Sequence, residues 1–265
     1  MSPSRRSASG IASSGRGTKK EARYQEIVEA AGALFAEQGF DGTSLLDIAN
    51  RVGVLKGSLY HHITSKADLL YDVVRVGHQG LDANLALVQQ FGEDPVRQLV
   101  AFVYGQIRLN AVPERLVFGA VILRESDKLS PERRAEVVAT RDAYEGYLRR
   151  IVAAGQLSGV FNRRSDARLC TFGILGITNS YHRWYTPDGP ILAESIAREY
   201  AQISLAGLTS DMSAEARWDA VDSVADEFEL LLTQRSAAES EDEAQAVGDD
   251  ETAGDDYNED QYGSA

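Results

Sequence analysis

Apolar residues recur at three- and four-residue spacing along most of the chain, a pattern that predicts α-helices. The first such segment begins near residue 21, carries Ile27, Ala31 and Phe35 on one face, and is stopped by Gly39 in a left-handed conformation. We find no alternating Val/Ile/Thr-rich runs joined by hairpin turns. The pattern therefore predicts a fold built from helices without a sheet.

Short capped segments follow the first helix. Ser44 can cap a second helix, with Asp47 in the capping-box position, and Gly53 ends it. A third, short helix spans about 55–62. A long fourth helix begins at Ser65, with another acidic residue three positions later.

The rest of the chain predicts six further helices, several with proline near the start, where a missing N–H costs little. Their approximate ranges are 95–110, 114–127, 131–154, 166–185, 191–208 and 213–232. We predict an all-α fold in which a three-helix bundle at 21–66 precedes a larger helical bundle at 67–233. Helix four joins the two bundles and is the expected mechanical link.

The two ends of the chain differ in composition from the middle. Residues 1–20 are rich in Ser, Gly and basic residues, whereas residues 236–265 carry 11 acidic residues and no Lys or Arg. We predict a disordered basic arm at 1–20 and a disordered acidic tail at 234–265. The tail either keeps the chain soluble or mimics DNA. Because it carries most of the net charge of −13, that charge does not argue against nucleic-acid binding.

Several function classes find no support in the sequence. No Gly-x-Ser-x-Gly, phosphate loop or His-Glu-x-x-His occurs, so no enzyme and no cofactor are predicted. Adjacent His61 and His62 cannot face one metal position on a helix, so no metal is predicted. No run of about 18 apolar residues suggests a membrane span. Cys170, the single cysteine, cannot form an internal disulfide, which fits a reducing cytosol.

The short third helix carries the candidate chemistry. Leu59 can pack inward, while its other side chains are small, basic or aromatic, the types that a DNA major groove admits. Helix N-termini nearby favour phosphate oxygens. The two helices and the turn between them predict a helix-turn-helix that binds double-stranded DNA. The predicted DNA contacts are Thr43, Ser44, Lys56, Gly57, Ser58, Tyr60, His61 and Lys66.

Residues 21–70 also resemble the DNA-binding region of the TetR family of bacterial repressors. The resemblance rests on Ala36-Glu37-Gln38-Gly39-Phe40-Asp41-Gly42-Thr43-Ser44, on Asp47-Ile48-Ala49, and on Gly57-Ser58-Leu59-Tyr60-His61-His62-Ile63 with Ser65-Lys66. It implies a homodimer on a near-palindromic operator, released when a small-molecule effector binds the C-terminal bundle. Leu55 departs from the pattern, because many members carry a capping Ser there.

Several aromatic residues in the C-terminal half lie beside polar groups such as Asn110 and His182. They suit a pocket for an amphipathic ligand with an anionic head. The alternative is that these aromatics belong to the core, which is more common. Arg124 begins a charged run that also reads as a helix end and a solvated loop. The ligand-binding residues predicted on this basis are Phe102, Arg124, Tyr144, Tyr147 and Asn179.

A second resemblance is local. The stretch Arg183-Trp184-Tyr185-Thr186-Pro187-Asp188-Gly189-Pro190 looks like that of regulators of steroid and fatty-acyl catabolism that respond to CoA thioesters. It implies that Arg183 and Trp184 contact the effector near a dimer interface. Small residues along helices eight and nine favour the same interface, with intramolecular packing as the alternative.

Together these observations predict a cytoplasmic bacterial repressor, associated with the nucleoid when bound to its operator and without membrane partners. Its expected partners are double-stranded DNA, a small-molecule effector such as an acyl- or steroid-CoA thioester, and a second copy of the chain. Two alternatives stay open: an activator of the same architecture, and a non-catalytic small-molecule-binding helical protein.

Overall fold

The computed structural model describes residues 14–252, with side chains for 20–113, 115–122, 124–238 and 240. Within these residues every regular element is a helix, which confirms the all-α prediction. The α-helices are α1 (Ser14–Gly42), α2 (Leu45–Val52), α3 (Lys56–Leu59), α4 (Lys66–Val88), α5 (Pro95–Arg108), α6 (Pro113–Glu125), α7 (Pro131–Ser158), α8 (Ala167–Ser180), α9 (Ala193–Leu208) and α10 (Ala214–Thr252). Short 3₁₀ segments cover Gln89–Phe91, Ser126–Lys128 and Tyr181–Arg183.

Local capping chemistry explains most of the helix boundaries. The Ser44 hydroxyl accepts from the Asp47 N–H and the Asp47 carboxylate accepts from the Ser44 N–H, a complete capping box at the start of α2. Gly53 ends that helix with φ +74°. The Ser65 hydroxyl likewise accepts from the Asp68 N–H and caps α4. Gly39, with φ +81°, kinks α1 one turn before its end.

The structure differs from the sequence expectation at both ends. Residues 14–20 are the first turns of α1, and residues 234–252 continue α10, where disorder is expected from composition. Helix extension adds one hydrogen bond for each residue that it fixes, and the 234–252 segment is rich in Ala and Glu, which favour helix. The remainder of the predicted arm and tail, 1–13 and 253–265, lies outside the described residues.

The N-terminal bundle consists of α1 to α3 and the first turns of α4. Ile27 and Phe35 of α1, Ile48 of α2 and Leu59 of α3 are fully buried in one apolar cluster. The cluster extends beyond the predicted boundary at residue 66, because α4 and α6 also contribute to it: Leu69, Leu70, Val73, Val74, Phe118 and Val121.

The C-terminal bundle forms around α5. This helix is buried on nearly all sides, since every residue from 99 to 107 is buried, and it packs against α4, α7, α9 and α10. At its centre the Phe102 ring lies 4.6 Å from that of Tyr144 on α7. The core of the C-terminal bundle is therefore centred on α5, which amphipathic helices surround.

Polar bonds join the two bundles along α4, α6 and α7. Asp72 on α4 accepts a hydrogen bond from Tyr24 of α1, and Asp68 pairs with Arg133 of α7. Lys128, just beyond α6, lies 2.8 Å from Asp41. Because both α4 and α6 touch both bundles, either helix can carry a displacement from one to the other.

Candidate DNA-reading segment and candidate effector cavity

The α3 segment presents its polar side to solvent. Lys56, Gly57, Tyr60 and His61 are exposed, whereas Leu59 is completely buried and anchors the segment to the N-terminal bundle. Leu55 precedes the helix without a side-chain cap, as its departure from the family pattern predicts. An isolated helix of this length is unstable, so its position depends on the elements around it.

Two sets of contacts fix the helices that flank α3, which are α2 and α4. The Glu37 carboxylate accepts two hydrogen bonds, each 2.9 Å long, from the Arg51 guanidinium and so ties α1 to α2. The Lys66 ammonium donates to the carbonyl oxygens of Phe40 and Thr43 at 2.7 and 2.8 Å and lies 4.2 Å from the centre of the Phe40 ring. The turn between α1 and α2 is thereby clamped to the start of α4.

Two of the predicted DNA contacts are used by the fold itself. Thr43 is buried, and its hydroxyl donates toward the Gly39 carbonyl oxygen at 2.9 Å. The Lys66 ammonium donates hydrogen bonds to the two carbonyl oxygens named above. Both side chains therefore have a structural role, and the predicted phosphate contacts at Thr43 and Lys66 stay predictions. The other predicted residues share one property, exposure or partial exposure near α2 and α3: Ser44, Lys56, Gly57, Ser58, Tyr60 and His61.

The C-terminal bundle contains a cavity of about 490 Å³ between α4, α5, α6, α7 and α8. This volume lies in the range of small-molecule sites. Leu81, Ile122, Phe172 and Leu175 form its apolar wall. Its polar lining comprises His78, Gln106, Asn110, Arg115, Arg141, Asp142, Tyr144, Glu145, Arg168, Asn179 and His182.

The exposed charged groups and the buried neutral groups occupy different parts of this lining. Arg141, Asp142 and Arg168 are exposed, so they belong to the open side of the cavity. Gln106 and Asn110 are buried and belong to its inner side. The Gln106 side-chain oxygen accepts from the Tyr144 hydroxyl at 2.5 Å, and the Asn110 amide donates to the Gln106 backbone carbonyl at 2.7 Å. A ligand would meet exposed charges at the mouth and neutral hydrogen-bonding groups farther in, with half-buried Arg115 and Glu145 also in the lining.

Two histidines line the cavity. Burial lowers the pKa of His78, an effect opposed by Asp82 and reinforced by Arg141. Burial also lowers the pKa of His182. The His182 Nδ1 atom is buried without a hydrogen-bond partner among the described residues. Both imidazoles are therefore neutral at pH 7, and His182 has unsatisfied bonding capacity beside the cavity.

The predicted ligand-binding residues fall into three groups. Tyr144 and Asn179 line the cavity. Phe102 is buried behind Tyr144, and the Tyr147 ring packs beneath Arg150. The others lie elsewhere on the surface: Arg124, which donates to the Ala36 carbonyl oxygen at 3.2 Å, and exposed Arg183 and Trp184.

Sequence reasoning missed the cavity arginines Arg115, Arg141 and Arg168. Each occupies an ordinary polar position of an amphipathic helix, so no local signal marks it. Gly77 and Gly119, which also line the cavity, offered a usable signal, because a glycine inside a helix lowers its stability and often marks a close approach.

An apolar surface runs along α8 and α9. Leu169, Phe172 and Gly176 follow one another at helical spacing on α8, and Ile203 and Gly207 do so on α9. All five are exposed, Leu169 to 68%. A Cβ atom added at Gly173, Gly176 or Gly207 would meet nothing within 4 Å. We call these residues, with Gly173, the α8–α9 face.

Two comparisons with known families match separate parts of the chain. Residues 27–73 match the family described as bacterial regulatory proteins, tetR family, and residues 92–208 match the tetracyclin repressor-like C-terminal domain. Together they cover the N-terminal bundle and α5 to α9. No helix within residues 14–252 has the length and apolar content needed to cross a membrane.

Individual relatives agree with this match. The transcriptional repressor KstR2 of Mycolicibacterium smegmatis is 29% identical over 71% of this chain and 91% of its own. The structure of the ketosteroid transcriptional regulator KstR2 of Mycobacterium tuberculosis is 27% identical, with a TM-score of 0.66 over 71% of this chain and 96% of that one. The structure of AibR in complex with isovaleryl coenzyme A and operator DNA is 30% identical, with a TM-score of 0.62 over 68% and 97% of the two chains.

Proposed function

The chain belongs to the TetR family of bacterial regulatory proteins, and we propose that it is a repressor that binds a near-palindromic operator as a homodimer and is released by a small-molecule effector. The proposal rests on one observation, which is that α4 connects the α3 segment to the cavity. This helix begins beside the exposed α3 segment and later lines the cavity with Gly77, His78 and Leu81.

In this proposal the side chains of α3 make the direct contacts with DNA. Lys56 reaches a phosphate or a guanine edge, Ser58 a base edge, and Tyr60 a phosphate. A Cβ atom added at Gly57 would meet nothing within 4 Å, so the backbone there can approach the groove closely. Ser44 and His61 lie at the margins of the contact. The two copies of α3 in a dimer should lie about 34–36 Å apart, one turn of duplex.

The α8–α9 face is the proposed dimer interface. Exposed apolar groups beside glycines allow two helix pairs to approach closely, and burial of such a face is favourable at about 25 cal/mol per Å². If this face joins two copies, the orientation of α4 in each protomer sets the separation of the two N-terminal bundles. The dimer therefore gives the cavity control over the spacing of the α3 pair.

A CoA thioester is the effector class that we propose. The apolar wall and the neutral inner groups suit an acyl or steroid portion, and the arginines at the mouth suit a polyanionic portion that stays outside. Exposed Arg183 and Trp184 contact the effector only if it extends beyond the cavity. AibR, which was solved with isovaleryl coenzyme A, provides a precedent among the relatives.

Fluorescence anisotropy with a labelled duplex from the region upstream of the chain's own gene tests DNA binding. We expect a specific Kd of about 10⁻⁸ M or tighter at physiological salt. Lys56→Ala and Tyr60→Ala should each weaken binding about tenfold or more, whereas Arg164→Ala, an exposed arginine after α7, should leave it unchanged. Equal affinity for unrelated duplexes would instead favour a non-catalytic binding protein.

Titration of the operator complex tests the effector class. Isovaleryl-CoA and a steroid-CoA thioester are added separately from free CoA and the free acids. We expect release by a thioester and none by free CoA or the acids. Release by none of these compounds would contradict the effector class and leave operator binding intact. A reporter gene downstream of the operator distinguishes repression from activation.

A further inference from the structure

A hydrogen-bonded network of three buried side chains lies at the inner side of the cavity. Asn84 of α4 is completely buried, and its amide donates to the Tyr144 hydroxyl of α7 at 2.7 Å. The Tyr144 hydroxyl donates in turn to the side-chain oxygen of Gln106 on α5 at 2.5 Å. Tyr144 and Gln106 line the cavity. The network therefore joins three helices and ends at the surface that a ligand would meet.

The direction of each hydrogen bond in this network follows from its innermost member. The Asn84 side-chain nitrogen also donates to the Phe102 carbonyl oxygen at 3.0 Å, and because a carbonyl can only accept, the orientation of the amide is fixed. Tyr144 accepts from Asn84 and so directs its own proton to Gln106. Burial raises the pKa of Tyr144, which keeps that proton on the hydroxyl at physiological pH.

The Gln106 amide is left with an unused donor. Its oxygen accepts from Tyr144, whereas its nitrogen has no hydrogen-bond partner among the described residues. The nitrogen retains accessible surface, unlike the fully buried and unpaired Nδ1 of His182. Because the oxygen and the nitrogen are the two branches of one planar group, the nitrogen is directed away from Tyr144. A ligand that fills this part of the cavity without an acceptor leaves both N–H groups unpaired, which is costly.

The neighbouring amides are already engaged by the fold. The Asn110 nitrogen donates to the Gln106 backbone carbonyl at 2.7 Å, and its oxygen packs against Gly80, where an added Cβ atom would lie 2.5 Å away. The Asn84 oxygen packs against Gly105 in the same way, 2.0 Å from an added Cβ atom. Of these three amides, that of Gln106 is the one whose nitrogen is available to a ligand.

We propose that Gln106 selects the effector by donating a hydrogen bond to an uncharged oxygen, such as a ketone, at the inner end of its acyl portion, with Tyr144 and Asn84 as positioning residues. The arginines at the mouth hold the polyanionic portion in the proposed function, so the far end of the acyl chain reaches Gln106. A ketone accepts without the desolvation cost that a carboxylate would add. This inference rests on the proposed function and names the acyl class.

Isothermal titration calorimetry of the full chain without DNA tests the inference. The probes are 7-oxooctanoyl-CoA, 7-methyloctanoyl-CoA and pimeloyl-CoA, whose acyl groups have equal numbers of heavy atoms and end in a methyl ketone, an isopropyl group and a carboxylate. We expect the ketone to bind about tenfold or more tightly than the other two. Equal binding of the ketone and the branched chain would overturn the proposal. Tightest binding of the carboxylate would overturn it too, in favour of recognition by half-buried Arg115.

Gln106→Leu should weaken binding of the ketone about tenfold and leave that of the branched chain equal or tighter, because the unpaired donor is gone. Leu175→Ala, in the apolar wall, should weaken both ligands alike. Gln98→Leu is the matched control, since Gln98 lies on the same helix outside the cavity, and it should bind as the wild type. A preference for the ketone that survives Gln106→Leu would contradict the role of Gln106.

Tyr144→Phe tests the positioning role. Without the hydroxyl proton the Gln106 amide is free to turn its oxygen to the cavity, so the preference for the ketone should fall while the branched chain binds as before. An unchanged preference would remove Tyr144 from the proposal. If circular dichroism shows that Gln106→Leu does not fold, the double variant with Tyr144→Phe replaces it, because it removes both partners of the bond. Failure of all three thioesters to bind the wild type would instead count against the effector class of the proposed function.

Discussion

Two lysines of the N-terminal bundle lie close in sequence and do different work. The Lys66 ammonium bonds two carbonyl oxygens and packs over Phe40, so it holds α1 to α4. Lys56 is exposed on α3 and has no salt-bridge partner among the described side chains. Lys66 is therefore engaged by the fold, whereas Lys56 is available for the proposed contact with DNA.

The pair yields a prediction at the scale of single residues. Lys66→Gln should lower the free energy of unfolding by about 1–3 kcal/mol, since two part-buried carbonyl oxygens lose a charged donor. Lys56→Gln should leave stability within about 0.5 kcal/mol and weaken operator binding. Urea unfolding and anisotropy on the same samples check both statements. Equal stability of the two variants would contradict the clamp.

Among the elements, α10 is held to the C-terminal bundle by arginine ion pairs as well as by buried apolar side chains. Arg108 of α5 donates to the Glu229 carboxylate at 2.5 and 2.8 Å, and the Tyr104 hydroxyl donates to the same carboxylate at 2.7 Å. Arg198 of α9 pairs with Asp222 and Asp226. The helix is fastened at successive turns, which fits its apolar contacts at Val221, Val224 and Phe228.

Glu229 makes this attachment sensitive to acid. Burial by itself raises the pKa of Glu229, but the bonds from Arg108 and Tyr104 outweigh it, so the pKa in the folded protein is lowered. A lowered carboxylate pKa stabilises the fold above the unfolded value of about 4.3 and loses that effect as the pH falls through the folded value.

We therefore predict that Glu229→Gln lowers the free energy of unfolding by about 1–2 kcal/mol at pH 7, a range reduced for partial exposure. The difference from the wild type should shrink as the pH falls below about 4. Urea unfolding at several pH values measures it, with Glu215→Gln, an exposed residue in the first turn of α10, as control. A difference that does not depend on pH would contradict the ionic attachment.

The sequence predicts the positions of the helices, through local capping chemistry, far better than it predicts the cavity. Caps at Ser44 and Ser65 and prolines at the starts of α5, α6 and α7 mark boundaries within a few residues of those observed. The cavity, by contrast, depends on which helix faces meet. Arg115 and Arg168 lie on different helices and converge only through tertiary packing, which the spacing of apolar residues does not specify.

At the scale of the whole molecule, the α8–α9 face yields a prediction about assembly. Gly176→Glu adds a charge where a Cβ atom meets nothing in the protomer, so folding should be unaffected. If this face joins two copies, the charge is buried at the interface without a partner, and the dimer should dissociate. Sedimentation velocity should then show monomers, and operator affinity should fall about 100-fold or more, because two half-sites are no longer engaged together.

Gly146→Glu is the matched control for this prediction. Gly146 lies on α7, where an added Cβ atom meets only the Arg150 guanidinium at 3.7 Å, outside the α8–α9 face. This variant carries the same charge change and should remain a dimer that binds the operator normally. A Gly176→Glu protein that stays dimeric with unchanged affinity would exclude the α8–α9 face as the interface. Because Phe172 belongs both to this face and to the cavity wall, loss of the dimer should also alter effector binding, which ties assembly to ligand recognition.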